Sequence, residues 1–87
     1  MLKKNLTNGK TIESIGLTPS QFERACQLYQ TDGMRSNGDS LEWVEDCSLM
    51  ELSEEEKSWL KLKQDEGADI YTYRIGWQDI AEIAVLD

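Results

Sequence analysis

Between Ser40 and Gly67 the chain reads SLEWVEDCSLMELSEEEKSWLKLKQDEG, and most of its reactive side chains lie there. Nine carboxylates (Glu42, Glu45, Asp46, Glu51, Glu54, Glu55, Glu56, Asp65, Glu66) face three lysines (Lys57, Lys61, Lys63), with Trp43 and Trp59 among them. Carboxylates at this density suit acid–base catalysis, metal ligation or recognition of a cationic surface. Catalysis by paired carboxylates needs a cleft that raises one pKa by burial. The acids here fall on expected helix surfaces, where they stay ionised.

The rest of the inventory argues against an enzyme and against a bound cofactor. Histidine is absent, which removes the commonest general base near neutrality and every Ser–His or Cys–His pair. Cys26 and Cys47 stand alone, whereas a structural zinc site takes four nitrogen or sulfur ligands. A calcium loop started at Asp32 has Met34 and Ser36 at the third and fifth positions, Asn37 where glycine belongs and Trp43 where the closing glutamate belongs, so it fails the ligand pattern. The six glycines are scattered and build no phosphate loop. The expectation is therefore a non-enzyme with no cofactor and no metal.

Charge then points to recognition. The net charge is −8. Residues 1–38 carry five bases and three acids, whereas residues 39–87 carry four bases and fourteen acids. A strongly negative half repels nucleic acid and anionic membranes and attracts basic surfaces; acidity also serves plain solubility. Lys3, Lys4 and Lys10 are too few to hold a duplex, whose binding rests on neutralising phosphates. The start MLKKNLTNGK has no apolar stretch after its lysines, and no apolar run approaches the roughly 20 residues that span a bilayer. These features suggest a cytoplasmic protein, in the host cytoplasm if the chain is phage-encoded, with two reduced, buried thiols.

The elements that would position these groups follow from local signals. Asn8-Gly9 suits a two-residue hairpin turn, pairing Thr7 with Lys10 and Leu2 with Ile15; residues 1–10 could instead be an arm preceding a strand at Thr11–Ile15. Thr18, Pro19 and Gln21 form a capping box with proline at the first helical position, and Leu17 can staple onto Phe22. Phe22, Ala25, Cys26 and Tyr29 then share one helical face. The spacing predicts a helix over Pro19–Gln30 ended near Gly33, with Cys26 as a core residue. The stretch 31–39 reads as a loop with Arg35 at its tip.

A second helix is predicted from Ser40, with Glu42, Glu45 and Asp46 on its polar face and Trp43 and Cys47 on an apolar stripe; a strand over Leu41–Glu45 competes, because Trp and Val favour sheets. Ser53 begins a further helix with Glu56 in the box position. Glu54, Glu55 and Glu56 suit its positive dipole end, and Trp59, Leu60 and Leu62 form its apolar side up to Gly67. Asp65 and Glu66 lie at the unfavourable end of that dipole and, with Asp69, stand out as acids kept for another purpose. The tail 70–86 reads as a β-hairpin turned by Gly76-Trp77-Gln78-Asp79, with Ile75 opposite Ile80; a short helix capped by Asp79 is the rival.

These elements amount to a small single-domain α+β fold over residues 1–87: two or three helices on a short antiparallel sheet made from an N-terminal strand or hairpin and a C-terminal hairpin. The expected activity is inhibition by binding. An acidic surface would cover the basic groove of a nuclease, CRISPR effector, restriction enzyme or polymerase, mimicking DNA as phage anti-defence and immunity-type proteins do as a class. The contact residues would be Glu42, Glu45, Asp46, Asp65, Glu66 and Asp69, joined by Trp77, whose place in a turn makes a core role hard to arrange. The alternative is a regulatory or adaptor module that binds through Trp77 and the C-terminal hairpin, with acidity serving only solubility.

Overall fold

A computed structural model describes residues 1–31, 38–47 and 51–87. Five strands and two helices follow in the order β1 (Leu2–Asn5), β2 (Thr11–Ser14), α1 (Pro19–Gln30), β3 (Asp39–Trp43), α2 (Glu54–Asp65), β4 (Asp69–Ile75) and β5 (Gln78–Leu86). The strands form one antiparallel sheet in the order β1-β2-β5-β4-β3. The α+β class stands, with two helices among the described residues. No helix there is long and apolar enough to cross a membrane.

Helix α1 forms where its local signals place it. Thr18 Oγ1 accepts from Gln21 N–H at 3.2 Å, and Gln21 Oε1 accepts from Thr18 N–H at 3.0 Å. The expected terminator Gly33, the loop residue Arg35 and the first half of the tested calcium loop lie outside the described residues. Phe22, Ala25, Cys26 and Leu28 pack on Ile12, Leu41, Tyr73, Ala81, Ile83 and Val85 to make the main core. Tyr29 meets Tyr71 edge-on, with ring centroids 5.6 Å apart. Gly16, at the turn into this helix, has no room for a side chain, because a Cβ there would lie 2.8 Å from Ala81 Cβ.

Both hairpins form, each in a different register from the expected one. In the first, Leu2 faces Ser14 and Asn5 faces Thr11, one residue away from the two-residue-turn register. The loop is three residues long, with Gly9 at φ +87, as when a left-handed glycine closes a type I turn. The second hairpin turns on Gly76 and Trp77 alone, with Gly76 at φ +61, so Gln78 and Asp79 belong to β5. A bulge opposite Tyr73/Arg74 leaves Ile80 as an extra residue. It keeps Ala81, Ile83 and Val85 under α1 while setting Asp79 beside Arg74. The rival helix over 79–84 does not form.

The main correction concerns residues 39–43. They form a strand, β3, paired residue for residue with β4 (Ser40 with Arg74, Trp43 with Tyr71), so no helix starts at Ser40. Glu42, Glu45 and Asp46 therefore share no helical face, and Trp43 is 60% exposed where a core role was expected. The remainder of that predicted helix, 48–50, lies outside the described residues.

Helix α2 covers the opposite face of the sheet. Ser53 Oγ accepts from Glu56 N–H at 3.2 Å, and Gly67 sits at φ +87 beyond the last turn. Leu60 packs on Ile70 and Ala84, with Val44, Cys47, Leu52 and Trp59 around them. Leu62 points outward, and Lys63 is buried in its stead. The sheet thus separates Cys26, buried under α1, from Cys47, which is partly buried beside α2; both thiols are free.

Candidate functional site: a half-covered acidic face

The α1 side of the sheet is closed by apolar packing. The α2 side carries Glu13, Glu42, Thr72, Arg74 and Glu82, because successive residues of a strand point to opposite faces. Helix α2 covers only part of this face. Among the described residues, adjoining hollows lie toward its N-terminus.

One hollow, of about 430 Å³, is lined by Glu42, Glu45, Asp46, Thr72, Arg74 and Asp79 among others. A second, of about 490 Å³, lies between Glu51, Ser53, Glu56, Asp79 and Glu82. The third, of about 370 Å³, runs from Glu42 and Arg74 to Gly76 and Trp77 at the turn. Glu42 and Arg74 belong to two hollows, and Asp79 to two, so the three make one bay. Eight carboxyl groups (Asp39, Glu42, Glu45, Asp46, Glu51, Glu56, Asp79, Glu82) border it, with Arg74 as the single base in its lining among the described residues.

Arg74 organises the bay. Its Nη1 lies 3.3 Å from Glu42 Oε1 and its Nε 2.7 Å from Asp79 Oδ1. The latter is an ion-pair contact, since the Nε–H is not aimed along it. One guanidinium thus holds a carboxylate from each neighbouring strand, and the surrounding carboxylates leave the bay negative.

Glu82 lies at the back, only 6% exposed. Burial, then the charges of Glu56 and Asp79 and a hydrogen bond with Glu56, push its pKa up to about 7 from 4.5. Glu82 lies outside the acidic stretch 40–67, whose acids were expected to stay ionised. The legible signal was only a glutamate within the apolar run of β5. Cys47 nearby also has its pKa raised, by burial first and then by the charges of Glu82 and Asp46.

Of the anticipated contact residues, the fold gathers Glu42, Glu45, Asp46 and Trp77 around this bay, and Trp77 is 95% exposed at its rim. It sends Asp65, Glu66 and Asp69 to the far end of α2 and the start of β4. Glu66 Oε2 accepts from Lys63 Nζ at 3.1 Å, so this acid has a structural partner. Lys63 also reaches Glu13 at 3.1 Å, the pair being almost fully buried against the sheet. Burial alone would lower the Lys63 pKa; its hydrogen bonds to Glu66 and Glu13 outweigh that and leave it raised. Asp79, Glu51 and Glu82 are bay residues that the sequence pattern did not single out. Among the described residues, no group of three or more His, Cys, Asp or Glu side chains is arranged to hold a metal ion.

Comparison with protein-family models, with curated proteins and with solved structures finds no match to this chain.

Proposed function

We propose that this protein is a small inhibitor that uses its acidic bay to cover the basic, nucleic-acid-binding surface of another protein, such as a nuclease, CRISPR effector, restriction enzyme or polymerase. The observation that carries the reading is the lining of the bay: among the described residues, eight carboxyl groups and one arginine on a partly covered sheet face. Complementary charge speeds encounter and suppresses wrong partners. Fixed carboxylates on a sheet suit a groove that otherwise tracks phosphates. The raised pKa of Glu82 would also serve an acid–base enzyme, but burial beside Glu56 and Asp79 accounts for it without a substrate.

The adaptor reading draws on a separate observation, the nearly complete exposure of Trp77, since tryptophans often anchor interfaces. Salt separates the two. Immobilised protein is challenged with lysate at low salt and at about 0.5 M salt, where screening acts within a few ångströms. The inhibitor reading expects a nucleic-acid-handling protein captured at low salt, released at high salt, displaced by duplex DNA and lost on combining Glu42→Lys, Glu45→Lys and Asp46→Lys. A partner that survives high salt and is lost on Trp77→Ala overturns it in favour of the adaptor.

A further inference from the structure

We propose that β3 accepts an extended basic segment of the partner as a sixth strand, a mode of engagement that rests on the acidic-bay reading. β3 is an edge of the sheet, and among the described residues no strand lies beyond it. Val44 N–H donates to Ile70 O at 2.8 Å, and Gly76 N–H donates to Gly38 O at 2.7 Å. In an antiparallel ladder the bonded direction alternates along the strand. Positions 38, 40, 42 and 44 therefore face β4, and Leu41 and Trp43 turn their N–H and C=O groups outward. These are the groups to which an added strand bonds.

The two edges of the sheet differ in the device that usually blocks such addition. β1 carries Lys3 and Lys4, and edge lysines discourage pairing. β3, with the sequence DSLEW, carries neither lysine nor proline, and its charges are Asp39 and Glu42, followed by Glu45 and Asp46. A second copy would bring the same acids against themselves, whereas a basic strand is complementary. Alternation also sets the segment's pattern. Residues opposite Ser40 and Glu42 rise on the bay side, where lysine or arginine meets Glu42, Glu45 and Asp46. The residue opposite Trp43 lies on the α1 side beside its exposed indole, where an apolar side chain fits. The preferred ligand is thus an extended segment alternating basic and apolar residues.

The probe is a capped heptapeptide of alternating lysine and valine, titrated by NMR into the full chain at low salt. Its controls are a block isomer of equal composition and a form N-methylated at every second amide. The alternating peptide is expected to slow amide exchange at Leu41 and Trp43 and to bind about tenfold or more tightly than the N-methylated form, as loss of two hydrogen bonds implies. Trp43→Pro removes an outward donor that the native ladder does not use, a place where edge strands tolerate proline. It is expected to bring the peptide to the N-methylated level, whereas Trp43→Ala keeps slowed exchange at residue 43. If Trp43→Pro unfolds, the N-methylated peptide still decides. Equal binding of all three peptides, lost on Glu42→Lys, overturns strand addition and leaves the acidic bay standing. No binding of any of them overturns both. A Trp43 amide already protected in the free protein, or a dimer that Trp43→Pro dissolves, shows the edge occupied and overturns the proposal.

Discussion

Under α1 the sheet presents Ile12, Leu41, Tyr73, Ala81, Ile83 and Val85; one residue along the same strands, on the α2 side, it presents Glu13, Glu42, Thr72, Arg74 and Glu82. The first face is filled by Phe22, Ala25, Cys26 and Leu28 and is closed. The second has an apolar patch around Leu60, Ile70 and Ala84, a buried ion pair beside it, and the bay beyond. A strand alternates with a period of two, so one sequence can carry a stabilising face and a recognition face back to back. Apolar burial is non-directional and yields a filled core. Buried charge demands defined partners, and carboxylates left over from that pairing face solvent. The comparison therefore places the filled apolar core under α1 and the bay's carboxylates on the other side.

The comparison breaks most sharply at Lys63. Lys63→Met leaves Glu13 buried without its partner and is expected to cost about 3–5 kcal/mol in urea unfolding. Adding Glu13→Leu should recover most of that loss, because an apolar pair of similar volume is often no less stable than a buried ion pair. A double variant as unstable as the single one would mean that the ion pair, and not merely its balance, holds α2 on the sheet.

Glu82 gives a smaller effect with a definite pH signature. Its folded pKa, pushed up to about 7, exceeds the ordinary 4.5, so between these values the folded state binds more protons than the unfolded one. Stability contributed by its protonated form is complete below the lower value and is lost as pH rises through the higher one. Glu82→Gln keeps an uncharged side chain and should gain about 2–4 kcal/mol over the native protein at pH 8, with the gain vanishing near pH 4. Glu56 on α2 and Asp79 on β5 face this carboxyl, with Cys47 nearby, so replacing Glu56 by Gln should shrink the gain. A pH-independent difference would assign the effect to packing instead.

The helix caps sharpen the contrast at the smallest scale. Thr18→Ala removes one limb of a reciprocal pair and exposes the other, and should cost about 1 kcal/mol in thermal unfolding. Ser53 caps α2 by accepting from Glu56 N–H, while its hydroxyl donates to Glu56 Oε1 at 3.1 Å. Ser53→Ala should cost less than Thr18→Ala, because α2 closes less of the core and its first turn keeps Glu54, Glu55 and Glu56 on the dipole.

The amino-acid sequence by itself determined the features whose causes lie within a few residues. The capping box at Thr18 sets the start of α1, Ser53 and Gly67 bracket α2, and the β-formers after Asp69 make β4. The acidic imbalance is equally a property of the sequence, but Glu42, Glu45 and Asp46 reach the bay from β3 and the residues after it, not from the helical face that their spacing suggests. Tertiary structure decided between the two conformations that the sequence left open around residues 39–43. Their amphipathic spacing fits a helix, but their hydrogen bonds go to β4, some thirty positions away. It also decided the two hairpin registers, where a one-residue shift exchanges the faces of every side chain. Most of all it decided which charges are buried. Glu13, Lys63 and Glu82 look like surface residues in sequence, and only the layering of α2 on the sheet gives two of them each other and raises the pKa of the third to about 7.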